Sequence, residues 1–231
     1  MNKLKREVEC LERGRFELER RRYNWRYHTC PKTIEKLNTL IKELADINYP
    51  YGMRCGLGSR DLNLQTVQLT LSKNCTGVYR EEIKRNYVNG TKEIKSSKVI
   101  ESGCSLVFSQ GISGTIAVIF YPYKSEYLER HEDFVFLYTD LLPESITESF
   151  LEHCFAKFLL YVRFSSLYGY ADNPNWLDKI KLKILLAKDI REKYKLSKKL
   201  INLDSKWLEI LANIALSSVV ASLITLFLNK T

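Results

Sequence analysis

The stretch Ser105–Tyr123, SLVFSQGISGTIAVIFYPY, decides the fold class. Two apolar runs rich in Val, Ile and Phe flank Gly111-Ile112-Ser113-Gly114-Thr115, which reads as a hairpin or bulge, and Pro122 stops the second run. β-Branched and aromatic residues in short runs bounded by Gly and Pro favour a pleated, half-buried surface, so both are read as strands. Upstream, Val67, Leu69 and Leu71 alternate with Thr66, Gln68 and Thr70, the period of a strand with one covered face. Asn89-Gly90 stands between VYREEIKRNYV and TKEIKSSKVI, and both residues tolerate the positive φ of a tight hairpin turn. Downstream, FVFLY at 134–138 adds one more run. An antiparallel sheet of five or six strands is expected.

Helical patterns bracket this sheet. After Pro143, Ile146, Phe150, Leu151, Cys154, Phe155, Phe158, Leu159 and Val162 recur at spacings of three and four, giving a wide face to cover the sheet. WLDKIKLKILLAKDIREKYKLSKKL, after Pro174, predicts a second helix with a basic exposed face. At the other end, Leu4, Val8, Leu11 and Leu18 mark one stripe of a helix, interrupted by Arg15 and weakened by Gly14. Pro31 is expected to end that helix, and Thr33 to open another with Ile34, Leu37, Leu40, Ile41, Leu44 and Ile47 on one face. The pair is expected to form an αα-hairpin whose apolar face needs the following domain or another copy of the chain.

Residues 210–228, ILANIALSSVVASLITLFL, contain no charge and only one strongly polar side chain, Asn213. At helical rise such a run spans roughly 28 Å, close to the hydrocarbon thickness of a bilayer. Lys206 and Trp207 stand at one border and Lys230 at the other, where interfacial anchors are placed. Asn213, Ser217, Ala221 and Thr225 fall four apart, with Ser218 and Ser222 on the adjoining row. Small, weakly polar residues at that spacing let helices approach and hydrogen-bond inside lipid, so self-association is expected there.

The 231 residues are 45% hydrophobic, 12% aromatic and 27% charged, which excludes a disordered chain, a collagen-like repeat and a multi-pass bundle. Net charge is +9 and sits at two places: residues 1–32 carry ten basic and five acidic residues, and residues 178–206 carry ten and four. An anionic surface met by these ends, lipid headgroups or phosphodiester, is implied. The six cysteines show no C-x-x-C pair, and with no apolar signal near Met1 they read as reduced thiols of a cytosolic body.

Motifs for chemistry are weak. Gly56-Leu57-Gly58-Ser59-Arg60 lacks the third glycine and the Lys-Ser/Thr of a phosphate loop. Asp61-Leu62-Asn63 lacks the second carboxylate of a nucleotidyltransferase metal pair, and His28, His131 and His153 show no zinc-ligand spacing. No catalytic residue, metal or cofactor is expected. Arg20-Arg21-Arg22-Tyr23-Asn24-Trp25-Arg26 interleaves cations with aromatics, so Arg20, Arg21, Arg22, Tyr23, Trp25 and Arg26 are candidate contacts for a nucleic acid or for lipid headgroups.

The expected architecture is α+β. An N-terminal helical hairpin, coiled-coil-like, occupies 1–50. A cytosolic sensor or interaction domain over 51–200 has an antiparallel sheet of five or six strands packed by C-terminal helices. A single C-terminal transmembrane helix over 207–228 serves as a tail anchor. The expected function is that of a single-pass membrane protein with its N-terminal body in the cytoplasm. That body controls self-association and a membrane-acting or membrane-signalling output in response to a regulatory protein or a small-molecule signal. Its layout is similar to that of small membrane-damaging effectors of bacterial antiviral defence, although no motif accompanies the likeness. The alternatives are a nucleic-acid or ribonucleoprotein adaptor working through the basic-aromatic segment, and an enzyme with an unrecognised site.

Overall fold

The structure, a computed structural model, describes residues 2–58, 66–85 and 92–201. The run at 210–228 and its self-association residues Asn213, Ser217, Ser218, Ala221, Ser222 and Thr225 lie outside the described residues, as does the Asn89-Gly90 turn. Among the described residues, no helix is long and apolar enough to cross a membrane.

The chain begins with α1 (Asn2–Asn24), which passes through a π-helical turn (Trp25–Thr29) directly into α2 (Cys30–Asp46). The expected hairpin is therefore corrected to one long helix. Asn24 and Cys30, at the two ends of the π turn, both keep right-handed helical backbone, and no reversing loop intervenes. Pro31 does not break the helix because the register changes just before it: the Cys30 amide donates to the Trp25 carbonyl, five residues back. A proline lacks its own amide and crowds the carbonyl four residues earlier, and a widened turn absorbs both defects. Burial fixes where the turn falls. Trp25 is fully buried, Thr29 Oγ1 donates to the Pro143 carbonyl at 3.2 Å, and Thr33 Oγ1 donates to the Thr29 carbonyl at 2.8 Å.

Five antiparallel strands follow in the order β1 (Met53–Leu57), β2 (Thr66–Leu71), β5 (Ser105–Gln110), β6 (Ile116–Tyr121), β7 (Val135–Leu141). β3 (Asn74–Arg85) and β4 (Lys92–Glu101) form a separate two-stranded arm inserted between β2 and β5. The period-two reading of 66–71 appears directly in burial: Val67, Leu69 and Leu71 are buried, while Gln68 and Thr70 are half-exposed. The buried side chains of Leu106, Phe108, Val118, Phe120, Val135 and Leu137 join them in one core.

Helices cover that core. Leu37 and Leu40 of α2 enter it, and α3 (Glu148–Ser165) supplies Leu151, Cys154, Phe155, Phe158, Tyr161 and Val162. Phe120 meets Phe158 at 5.5 Å and Tyr161 at 5.7 Å between ring centroids. Thr147 caps α3, accepting from the Phe150 amide as expected of a hydroxyl at a helix start. α4 (Leu167–Ala171) is a single short turn, and α5 (Trp176–Ile201) returns along β7. Gly169 is required where α4 folds back, because a Cβ there would lie 1.7 Å from the Arg163 carbonyl oxygen.

Candidate functional site

The basic-aromatic segment is consumed largely in holding α1 to the body. Arg20 pairs with Glu17 at 2.9 Å and Glu144 at 3.3 Å, and Asn24 donates to Glu144 at 3.4 Å. Arg21 and Arg22 donate to the carbonyls of Ser113 and Ile112 at 3.4 and 3.2 Å, clamping the turn between β5 and β6. Gly114 in that turn has φ of +75°, and a Cβ on it would meet Arg21 Cβ at 3.0 Å, so the helix rests on bare backbone. Trp25 lies wholly in the core and offers no ring face to a base. Tyr23 and Arg26 are exposed, and Tyr23 packs on Tyr27 at 4.5 Å between centroids. The structure thus brings Arg20, Arg21 and Arg22 to protein acceptors and leaves Tyr23 and Arg26 on the surface.

Of the other sequence candidates, Ser59, Arg60 and Asp61-Leu62-Asn63 lie outside the described residues, and the rest are dispersed. Gly56 and Leu57 belong to edge strand β1, and the Gly58 amide donates to the Thr66 carbonyl at 2.7 Å. His28, His131 and His153 are exposed on three different segments. Among the described residues, no group of three or more His, Cys, Asp or Glu is placed to hold a metal ion.

Two clusters emerge that the sequence did not single out. The first surrounds Glu101, at the end of β4, whose side chain is almost completely buried. Its Oε1 accepts from Asn74 Nδ2 at 2.9 Å and Tyr51 Oη at 3.2 Å, and its Oε2 accepts from the Leu167 amide at 2.9 Å. One carboxylate thereby ties the root of the β3–β4 arm to the loop before β1 and to the start of α4. Tyr51 stacks between Tyr123 and Tyr168, each 5.3 Å away, and burial pushes its hydroxyl up to about 12. Outside this cluster lies an open groove of about 590 Å³ lined by Tyr49, Leu160, Arg163, Tyr168, Asp178 and Lys181. Arg163 donates to Asp178 at 2.5 Å and Lys181 to the same carboxylate at 3.4 Å. Ion pairs and aromatic faces around an apolar floor suit binding and orientation of a ligand.

The second cluster fastens α5 to β7, the last strand of the sheet. Asp189 Oδ1 accepts from the Phe136 amide at 2.7 Å. Glu192 Oε2 accepts from the Thr139 amide at 3.2 Å and the Thr139 hydroxyl at 2.7 Å. These carboxylates stand where a further strand would have supplied carbonyls, so an otherwise unpaired edge is satisfied by a helix. Lys193 and Lys195 pair with them at 2.8 and 2.7 Å. Burial alone would raise the Glu192 pKa; hydrogen bonds from Lys195 and Thr139 outweigh it and hold the carboxyl below its usual range.

Lys188, one turn from Glu192, places Nζ 3.2 Å from the centre of the Tyr138 ring. Burial first, then Lys157, depress its pKa to about 8, and the electron-rich ring face opposes that depression. Between about pH 8 and the ordinary lysine range the unfolded chain binds a proton that the folded chain has released, so stability rises with pH across that window. Lys188→Met is expected to abolish this rise. Chemical denaturation of both chains at two pH values within and below the window checks it. Buried thiols remote from Lys188, such as Cys55, raised to about 12 by burial, lose stability with rising pH in both chains and cancel in the difference.

Comparison with known proteins finds no matching family model, no similar curated protein and no matching solved structure.

Proposed function

We propose that this chain is a membrane-anchored α+β domain that self-associates and delivers its output at the bilayer. The observation that carries the reading is the uncharged run at 210–228, which follows a basic helix and is bordered by Lys206, Trp207 and Lys230. The way α5 is fastened to the body supports it: a helix bonded through Asp189 and Glu192 to a sheet edge moves with that sheet. A ligand or partner that shifts the body thus moves the helix that precedes the apolar run in the sequence. Self-association has two sources. One is the row of Asn213, Ser217, Ala221 and Thr225, and the other is α1, where Leu4, Val8 and Leu11 stand exposed in a coiled-coil-like stripe. The groove beside Tyr49 and Arg163 is the proposed receptor for a small-molecule signal. The engagement of Arg20, Arg21 and Arg22 by Glu144 and by backbone carbonyls favours this reading over a nucleic-acid adaptor.

Fractionation tests the anchor. The full chain is expected in the membrane pellet after alkaline carbonate washing, and a chain ending at Lys206 is expected to be extracted by it. A full chain extracted by the same wash removes the proposal. A membrane-damaging output further predicts loss of membrane potential on expression of the full chain and none on expression of the shortened one.

A further inference from the structure

The acidic residues of α5 from Asp178 to Glu192 all turn inward. Asp178 faces Arg163 and Lys181, Asp189 faces the Phe136 amide, and Glu192 faces Thr139, with side chains 17%, 8% and 3% exposed. The outer face is left with cations and apolar groups. At about 3.6 residues per turn, Trp176, Ile180, Ile184 and Tyr194 fall along one line, with Leu177 and Ile190 on its flanks. These six side chains are 43–65% exposed, on a helix whose opposite face already buries Leu182 and Leu185 in the core. Lys179 and Lys183 border the stripe on one side and Lys195 on the other, and Arg191 interrupts it between Ile184 and Tyr194; all four are exposed.

We propose that this outer face of α5 lies on an anionic lipid surface, with the apolar stripe entering the headgroup boundary and the lysines meeting the headgroup charges. An apolar stripe between rows of cations, without acidic residues, is the pattern of helices that rest in the interface plane. Charge complementarity selects lipid over a second copy of the helix, since two such faces would set lysine rows against each other. The inference rests on the anchoring proposed above, because a span at 210–228 holds α5 close to the leaflet.

Tryptophan quenching tests it on the full chain carrying Trp207→Phe, in which Trp176 is the exposed reporter and Trp25 stays in the core. In vesicles whose acyl chains are brominated, strong quenching is expected with phosphatidylglycerol present and weak quenching with phosphatidylcholine alone. Lys179→Glu with Lys183→Glu is expected to weaken the response to anionic lipid by about tenfold or more, because each cation near the surface contributes separately. Ile180→Glu with Ile184→Glu is expected to remove it while circular dichroism is unchanged, as both side chains are exposed. Equal quenching in neutral and anionic vesicles, with the chain still resistant to alkaline washing, overturns the lipid-facing surface and leaves the anchor. Anionic-dependent quenching in a chain that alkali extracts overturns the anchor and leaves the surface. Crosslinks joining Ile184→Cys in two copies, in place of quenching, assign the face to self-association and overturn the proposal.

Discussion

Glu101→Ala is expected to lower the stability of the chain by about 3–5 kcal/mol, read as a fall in the thermal midpoint of the detergent-solubilised protein. The magnitude follows from what remains behind. The Tyr51 hydroxyl, the Asn74 amide group and the Leu167 backbone amide each donate to this carboxylate, and its surroundings are closed to solvent. A buried donor stripped of its acceptor costs about 1–3 kcal/mol, and three are stripped at once. Glu101→Gln keeps the size and one acceptor oxygen but turns an amide donor toward one of the three donors. A smaller loss is expected from it, with the Leu167 amide exchanging faster than in the parent. A Glu101→Ala chain that melts with the parent would show that the carboxylate does not tie the arm to α4.

Asp189→Ala with Glu192→Ala is expected to release α5 from the sheet while the rest of the body stays folded. Hydrogen bonds to charged groups contribute about 1.5–3 kcal/mol each, so loss of both clasps amounts to about 3–5 kcal/mol of local stability. Protection of the Phe136 and Thr139 amides against hydrogen exchange is then expected to drop by about two to three orders of magnitude. The amides of β5 and β6 keep theirs, because each of those strands is paired on both sides. Acid is expected to act in the same direction. The Glu192 carboxyl is held below its ordinary range, so its contribution is present at neutral pH and is lost as pH falls through that lowered value. Unchanged exchange at Phe136 in the double variant would mean that the apolar contacts of Leu182 and Leu185 hold α5 by themselves. If the output at the membrane depends on this attachment, the double variant uncouples it while alkaline-resistant anchoring persists.

The long helix at the start of the chain shows how a correct local reading led to a wrong topology. Apolar spacing placed α1 and α2 correctly, and Leu37 and Leu40 are buried as the stripe predicts. Pro31 by itself predicts a break between them, since its ring normally ends a helix, but a π turn admits it. What makes that turn worthwhile is distant: Trp25 fills the core, and Thr29 reaches Pro143, more than a hundred residues along the chain. The same distance explains Trp25 itself. Standing among four arginines it has the sequence context of a surface aromatic, yet it joins the core, and Arg20, Arg21 and Arg22 find their partners at Glu144, Ser113 and Ile112.

Glu101 and the clasp of Asp189 and Glu192 left no local signal. Glu101 closes a charged strand, and Asp189 and Glu192 sit among lysines as if in an ordinary solvated helix. Their roles depend on which backbone amides the sheet leaves unpaired.

By itself the sequence determined the block of strands bracketed by helices, the faces that α2, α3 and β2 bury, and the uncharged character of 210–228. Each is a periodicity or composition carried by neighbouring residues. Only the tertiary structure decided that 2–46 is continuous, that Trp25 belongs to the core, and that α5 turns Asp189 and Glu192 to an edge strand. The physical reason is that a charge or a proline has no fixed cost of its own: the cost depends on the hydrogen-bond partners and the room that distant segments bring to it.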